Sequence, residues 1–307
     1  MPKSTARSHQ LADADLRLLR VFQAVVRHNG FAAAQAELGI SGATISNHMA
    51  ELEQRLGVRL CKRGRRGFSL TEEGARIHEG SLNLFRSVEN FSSVVGSVRG
   101  DLSGSVHFAT VDAMQTNAEL GLELALGEFS RRARGVVVHI DIASPHDLRQ
   151  RLLDGRYQLV LTPLEEAHPS ITSTPIFDEV QALYCGKGHP LFAMPERELA
   201  SALAKPHRYA ARKYETGRSV SHARDFEVTA MTSHMESLAL LILSGGYLGH
   251  LPEHYARQWV VAGQMRSLRP KSHAYVDTFH LAQLSREQNR AVALLSECIV
   301  QSAGRGS

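Results

Sequence analysis

The chain reads as an α+β protein: an N-terminal winged helix-turn-helix, one long amphipathic helix, and a two-lobed α/β region. Three observations predict this. Residues 31–70 pass from a helix through a glycine turn into a second helix and then a basic hairpin. Residues 71–98 carry apolar side chains at heptad spacing. From Val106 onward, short apolar strands alternate with amphipathic helices, the pattern of a parallel sheet covered on both faces.

Residues 1–12 are expected to be a disordered tail. Asp13 or Asp15 can cap a first helix that runs to about residue 28, with Leu16, Leu19, Phe22 and Val26 inward and Asn29-Gly30 ending it. A short helix then breaks at Leu38-Gly39-Ile40-Ser41. Glycine tolerates the left-handed conformation that closes many helices, and Ser41 offers its hydroxyl to the free amides of the next one. In that helix Ile45, Met49, Leu52 and Leu56 share one face, while Thr44, Ser46, Asn47, His48 and Glu51 occupy the other. Helix, tight turn, helix is the geometry that sets a second helix in a DNA major groove. An ordinary helical hairpin with a solvated polar face would look the same from this stretch alone.

The next residues favour DNA. Arg59, Lys62, Arg63, Arg65 and Arg66 crowd around Gly64 and Gly67, and Val58, Leu60, Phe68 and Leu70 flank them at strand-like alternation. This is a hairpin with a basic tip, suited to phosphates or a narrow minor groove. The predicted DNA-contacting set is Ser41, Thr44, Ser46, Asn47, His48, Arg63, Arg65 and Arg66.

Leu16 to Phe22, Ile45-Ser46-Asn47-His48-Met49, the run from Leu52 to Leu60, and Leu70-Thr71-Glu72-Glu73-Gly74 together resemble the N-terminal domain of LysR-type transcriptional regulators, in order and spacing. The chain departs from that pattern at Gly30-Phe31, where the family usually has Ser-Phe, at Gly42, where it has Gln, and at Cys61, where it has Phe. Glycine at 42 removes a side chain that would normally reach DNA. The operator of a relative therefore cannot be transferred to this chain, and Thr44, Ser46, Asn47 and His48 must carry more of the recognition.

Thr71 can cap the long helix, with Glu72 and Glu73 at the positive end of its dipole. Ile77, Leu84, Phe91 and Val98 recur every seven residues, and Val88 and Val95 lie four beyond Leu84 and Phe91, leaving one polar gap at Ser81. Such a helix, on the order of 40 Å long, exceeds what a small winged domain can cover. Packing on its own domain is one reading. The other, which the resemblance also implies, is a homodimer through residues 71–98, with tetramers formed by the C-terminal domains. Two reading heads then meet two half-sites.

Composition sets the outer bounds. The chain has 307 residues, 43% of them apolar, with a net charge of +4. Residues 1–99 hold 14 Lys and Arg against 9 Asp and Glu, so the positive excess lies wholly in this third. No run approaches the ~18 apolar residues of a membrane span, and the polar start predicts no signal peptide. Three widely spaced cysteines, Cys61, Cys185 and Cys298, suit a reducing cytoplasm.

Residues 100–104 read as a linker. Strands are expected at 106–111, 135–143, 157–162, 180–185 and 208–211, with helices at 119–130, 144–153, 195–203, 218–225, 238–243 and 291–300. Two such α/β sets suggest two lobes with a cleft between them. The resemblance extends here through Leu153-Asp154-Gly155-Arg156-Tyr157, His189-Pro190-Leu191 and the run from Gly246 to Pro252. It implies a periplasmic-binding-protein-like domain that senses a small molecule. By analogy the chain leaves lobe I near 177–180 and returns near 265–269. The expected domains are 1–70 for the winged head, 71–99 for the helix, and 100–307 for the sensor, with lobe I at about 104–178 and 267–300 and lobe II at about 179–266.

In open α/β sheets ligands sit beyond the carboxyl ends of strands, against helix N-termini. That rule selects Asp112, Gln115, Ser144, Thr162, Arg212, Tyr214, His234 and His250 as effector-binding candidates, though each could equally be a cap or a solvated loop residue. Arg212 and Lys213 suit an anion and Asp112 an amine or hydroxyl, hinting at an anionic or zwitterionic effector.

Other chemistries find little support. His250 and His254 are four apart, but Pro252 between them disrupts the helix that would join them, so no metal site is expected. Redox sensing by Cys185 or Cys298 would need an exposed, electropositive thiol, for which Lys187 is thin support. There is no nucleophile elbow, phosphate loop or dinucleotide fingerprint, so no catalytic residues and no cofactor are expected. The expectation is a cytoplasmic, DNA-binding regulator that is not an enzyme and is controlled by a small effector. The alternative is an α/β solute-binding module or enzyme with an N-terminal interaction domain.

Overall fold

A computed structural model describes residues 12–64, 67–98, 102–164, 166–213, 226–269 and 272–304. The chain forms two compact units, Met1–Val88 and Glu89–Ser307.

The first unit contains helices α1 (Asp13–Arg27), α2 (Phe31–Leu38) and α3 (Gly42–Leu56), hairpin β1 (Cys61–Gly64) and β2 (Gly67–Leu70), and the start of α4 (Glu72–Val98). Leu18, Phe22, Val25, Ala34, Ile45, Met49, Leu52 and Leu60 form its fully buried core, and Cys61 packs beside them. The local signals at Gly39 and Ser41 act as the sequence suggests, and Gly57 does the same for the second helix. Gly39 (φ 63°) and Gly57 (φ 71°) close α2 and α3 in the left-handed region, and Ser41 Oγ accepts from Thr44 N at 3.2 Å. Asp15 caps the first helix from its third residue, as a capping box does, rather than from the N-cap position itself. Ala12 holds that position, and the fully buried Asp15 carboxylate accepts from Ala12 N at 2.8 Å while pairing with Arg55 of α3. A buried carboxylate requires such a partner. Leu16 and Val26 do not lead the inner face. Leu18, Val21 and Val25 are more buried than either.

Thr71 caps α4: its Oγ1 accepts from Gly74 N at 2.8 Å and donates to Arg59 O at 2.6 Å. A Cβ at Gly74 would lie 1.9 Å from Leu60 O, so only glycine lets α4 approach the wing this closely. The heptad seam is divided. Ile77, Leu84 and Phe85 pack on the winged core, and Ser81 is buried, accepting from Gln23 Nε2 at 3.0 Å and donating to His78 O at 2.7 Å. Val88, Phe91 and Val95 are exposed, Phe91 at 68%.

The second unit is built on a sheet in the order β4-β3-β5-β11-β6-β9-β7-β8, with β10 also paired to β6. The strands are β3 (Ser103–Thr110), β4 (Gly135–Ile142), β5 (Leu159–Pro163), β6 (Ile171–Gly186), β7 (Arg208–Arg212), β8 (Glu227–Thr232), β9 (Leu248–Pro252), β10 (Met265–Ser267) and β11 (Ala274–Leu284). The helices are α5 (Leu122–Arg132), α6 (Pro145–Leu153), α7 (Glu196–Leu203), α8 (Met235–Leu243), α9 (Glu253–Val261) and α10 (Arg290–Ala303). β3, β4 and β5 run parallel, as do β7, β8 and β9. The long antiparallel pair β6–β11 joins these two sets. One core, including Phe108, Leu161, Phe279 and Leu295, lies in lobe I, and two smaller ones fill lobe II.

Several boundaries differ from expectation. Ser103 and Gly104 belong to β3 rather than to a linker. Helix α5 starts three residues late because Gly121 adopts φ 55°, where a Cβ would meet Ser302 Oγ at 2.6 Å. The outward crossing is spread along β6, and the return is β11, since β10 still pairs with the lobe II end of β6. The strands β8, β9, β10 and β11 and the helix α9 lie outside the expected elements, and Gly249-His250, read as a turn, is the middle of β9. The helix expected at 218–225 lies outside the described residues. No described helix is long and apolar enough to cross a membrane.

Candidate DNA-reading head and effector cleft

On α3, Ser41 and Asn47 are exposed, and Thr44, Ser46 and His48 are half-buried. Ser41 and Thr44 are already engaged: their hydroxyls lie 2.9 Å apart, and Ser41 caps the helix. Asn47 projects from the same N-terminal half with its amide exposed. Behind this face Glu53 Oε1 accepts from Leu60 N at 2.8 Å and Cys61 N at 3.3 Å, tying the end of α3 to the root of the wing. The backbone of Arg63 is in β1; Arg65 and Arg66 lie outside the described residues.

In the second unit the loop after β3, the end of β7, the start of α8 and the strand β9 converge on the hinge strands. Asp112 follows β3 in lobe I. Its Oδ1 accepts from Arg212 Nη2 at 2.7 Å and its Oδ2 from Met235 N, the first residue of α8, at 2.5 Å. Both donors belong to lobe II. A second link runs through Thr116 Oγ1, 2.8 Å from His254 Nδ1, and His254 Nε2, 2.8 Å from Glu179 Oε1. Gln181 Nε2 donates to the other Glu179 oxygen at 2.6 Å.

Two cavities flank the Asp112–Arg212 pair. The inner one, about 620 Å³ counting its open mouth, is lined by Glu179, Gln181, Tyr209, Arg212, His250, Tyr275, Asp277 and Phe279, with Asp112 at its edge. Glu179 and Asp277 face each other across the β6–β11 ladder. Burial holds the Tyr275 hydroxyl well above its usual range, so it stays a donor. His250 donates from Nε2 to His273 O at 3.0 Å, which leaves Nδ1 to accept from Tyr209 Oη at 2.7 Å. The outer cavity, about 830 Å³ on the same measure, is lined by Asp112, Ser144, Asp147, Arg151, Lys213, Ser233 and His234.

The comparisons with known proteins decide the family. Residues 16–75 match the bacterial regulatory helix-turn-helix protein family of lysR type, and residues 99–304 match the LysR substrate binding domain. This chain belongs to the LysR family of transcriptional regulators. It is 34% identical over 273 residues to the HTH-type transcriptional activator BauR of Pseudomonas aeruginosa, covering 87% of this chain and 88% of that protein. The crystal structure of CbnR, a LysR family transcriptional regulator, shares its fold with a TM-score of 0.65 at 18% identity, over 94% of this chain and 99% of that one. Full-length CbnR bound to its target DNA gives a TM-score of 0.64, again at 18% identity over 94% of this chain and 99% of that one. The chain is thus a DNA-binding regulator with an effector-binding domain rather than an enzyme.

Within this LysR-type regulator the effector candidates sort unevenly. Asp112 borders both cavities, Arg212 and His250 line the inner one, and Ser144 and His234 the outer one. Ser144 also caps α6, accepting from Asp147 N at 3.2 Å. Two candidates are corrected. Gln115 is exposed on the short 3₁₀ turn Met114–Thr116 and lines neither cavity. Thr162 is fully buried and lines neither cavity; its neighbour Pro163 reaches the inner cavity instead. Tyr214 lies outside the described residues. Glu179, Gln181, Tyr275 and Asp277 escaped the sequence argument because they sit mid-strand on the hinge rather than at strand ends. Cys185 is fully buried and its thiol is pushed up to about 12 by burial, and Cys298 is also raised by burial, which removes the basis for thiolate redox sensing.

Proposed function

We propose that this regulator binds operator DNA as a homodimer in the cytoplasm and responds to a zwitterionic effector held between the lobes. The observation that carries the effector reading is the Asp112 carboxylate, which occupies two lobe II donors at once. A ligand carboxylate can replace it on Arg212 and on the first amide of α8, as a guanidinium fork and a helix N-terminus both favour. The outer cavity adds Lys213 and Arg151 on that side. On the other side, Glu179 and Asp277 beside Tyr209 and Tyr275 suit an amine. Replacing a contact within the protein by a ligand bridge changes lobe closure, and that change would be passed to the reading heads.

The exposed half of α4, with Phe91 at its centre, supports pairing of two subunits. Exposed Leu124, Val137 and Ile142 near one edge of the sheet, and Met231 and Leu240 near the other, support a further association of sensor domains into tetramers. Isothermal titration with amino acids, aromatic acids and sugars tests the effector reading. Binding of amino-acid-like compounds, lost in Arg212→Ala, is the expected result. Binding of neutral apolar compounds alone would overturn it.

A further inference from the structure

The first residue of α3, Gly42, has no side chain, yet the space beside it is occupied. The Gln35 carboxamide of α2 fills it. Its Oε1 accepts from Gly42 N at 3.0 Å, and its Nε2 lies 3.2 Å from where a Gly42 Cβ would stand. This hydrogen bond settles the orientation of the amide: the oxygen faces the helix and the nitrogen faces away. The two Nε2 hydrogens find no acceptor among the described residues. Gln35 is half-buried, so its stem is held while its nitrogen meets solvent. In helix-turn-helix proteins the N-terminal residues of the second helix contact base edges.

We infer that Gln35 reads a base, its amide nitrogen standing where a side chain at position 42 would project. The inference rests on α3 being the reading helix. Because Oε1 is committed to Gly42, Gln35 cannot form the two-pronged contact that glutamine makes with adenine. It presents donors only. Its base therefore presents an acceptor in the major groove, a guanine or thymine carbonyl or, through N7 alone, an adenine, and is not a cytosine, which presents a donor there.

The test uses the full chain, a random duplex library, and sequencing of the selected DNA, with binding to the selected operator and to random duplex measured by fluorescence anisotropy at fixed salt. Gln35→Ala is expected to lose about tenfold in operator affinity, to bind random DNA within about twofold of the parent, and to relax preference at one base pair in each half-site. Gln35→Glu keeps an acceptor for Gly42 N, and so keeps the helix start, but is expected to turn that preference toward cytosine. Base preferences unchanged in both variants would make Gln35 a structural cap only. Equal losses on operator and random DNA would make it a phosphate contact. Either outcome overturns the inference. Asn47→Ala is selected in parallel. If it too leaves every preference unchanged, α3 is not the reading helix and the inference falls with that reading.

Discussion

Arg212 donates to Asp112 at 2.7 Å, and the two residues come from opposite lobes. Their side chains are 19% and 15% exposed, so the pair is shielded but still reachable from the cavities on either side. Each has the chemistry of a ligand group in its own right. In the folded chain each is the other's partner, and an effector competes with a contact that already exists.

Asp112→Ala should therefore loosen the link between the lobes and strand the Arg212 cation. The expected loss is about 1–3 kcal/mol of sensor-domain stability, the range for removing one partner of a charged hydrogen bond. Thermal unfolding of the full chain measures it. In parallel, operator affinity should lose its dependence on added effector. An unchanged unfolding temperature with an intact effector response would show that the link has no regulatory part.

The divided heptad separates two substitutions that look equivalent in sequence. Phe91→Asp removes the most exposed apolar side chain among the described residues of α4 and should yield monomers with much weaker operator binding, measured by light scattering at low micromolar concentration. Leu84→Asp places a charge against the core of the winged unit and should lower that unit's own stability by several kcal/mol. A dimeric mass for Phe91→Asp would count against pairing through this helix.

Readout and grip should respond differently at the DNA. Asn47→Ala is expected to weaken operator binding by about 1–3 kcal/mol and to spare random duplex. Arg65→Ala and Arg66→Ala should weaken both and flatten the salt dependence by about one unit of slope per lost phosphate contact. Competition titrations between 50 and 200 mM salt, roughly the span over which several phosphate contacts become visible, make the comparison. Equal losses on both DNAs for all three variants would place the reading surface elsewhere.

His189 predicts the acid side of the stability curve. It is buried in lobe II, its Nδ1 accepts from Leu191 N at 3.2 Å, and burial, then the neighbouring His207, holds its pKa below the usual value. The folded state thus favours neutral imidazole. Stability from this group is complete above the unfolded-state pKa, near 6.5, and is lost as pH falls through the lower folded value. The unfolding temperature should drop as pH is lowered from about 7.5 to about 5, and the drop should shrink in His189→Gln. An identical pH profile in the variant would remove His189 from the account.

Where sequence argument succeeded, the signal was local. Gly39, Ser41 and Thr71 each close or cap a helix through a backbone group within four residues, as their chemistry suggests. Where it fell short, the partner was distant. Asp15 does serve the helix start through Ala12 N, but its charge partner, Arg55, lies 40 residues on. Thr162 stands near a strand end, as a ligand group would, but packing against the faces of the sheet buries it fully and leaves Pro163 at the cavity.

The sequence by itself determined the family, the winged head, the long helix and the alternation of strands and helices, because periodicity, caps and charge density act over a few residues. The tertiary structure alone decided that half of the α4 seam is spent on its own domain and that β6 and β11 carry the hinge. It also decided that Asp112 is matched to Arg212 and Gln35 to Gly42. Those are pairings between side chains and backbones far apart in the chain or on different helices. A polar residue's chemistry states what partner it needs, but only packing in three dimensions chooses which one it gets.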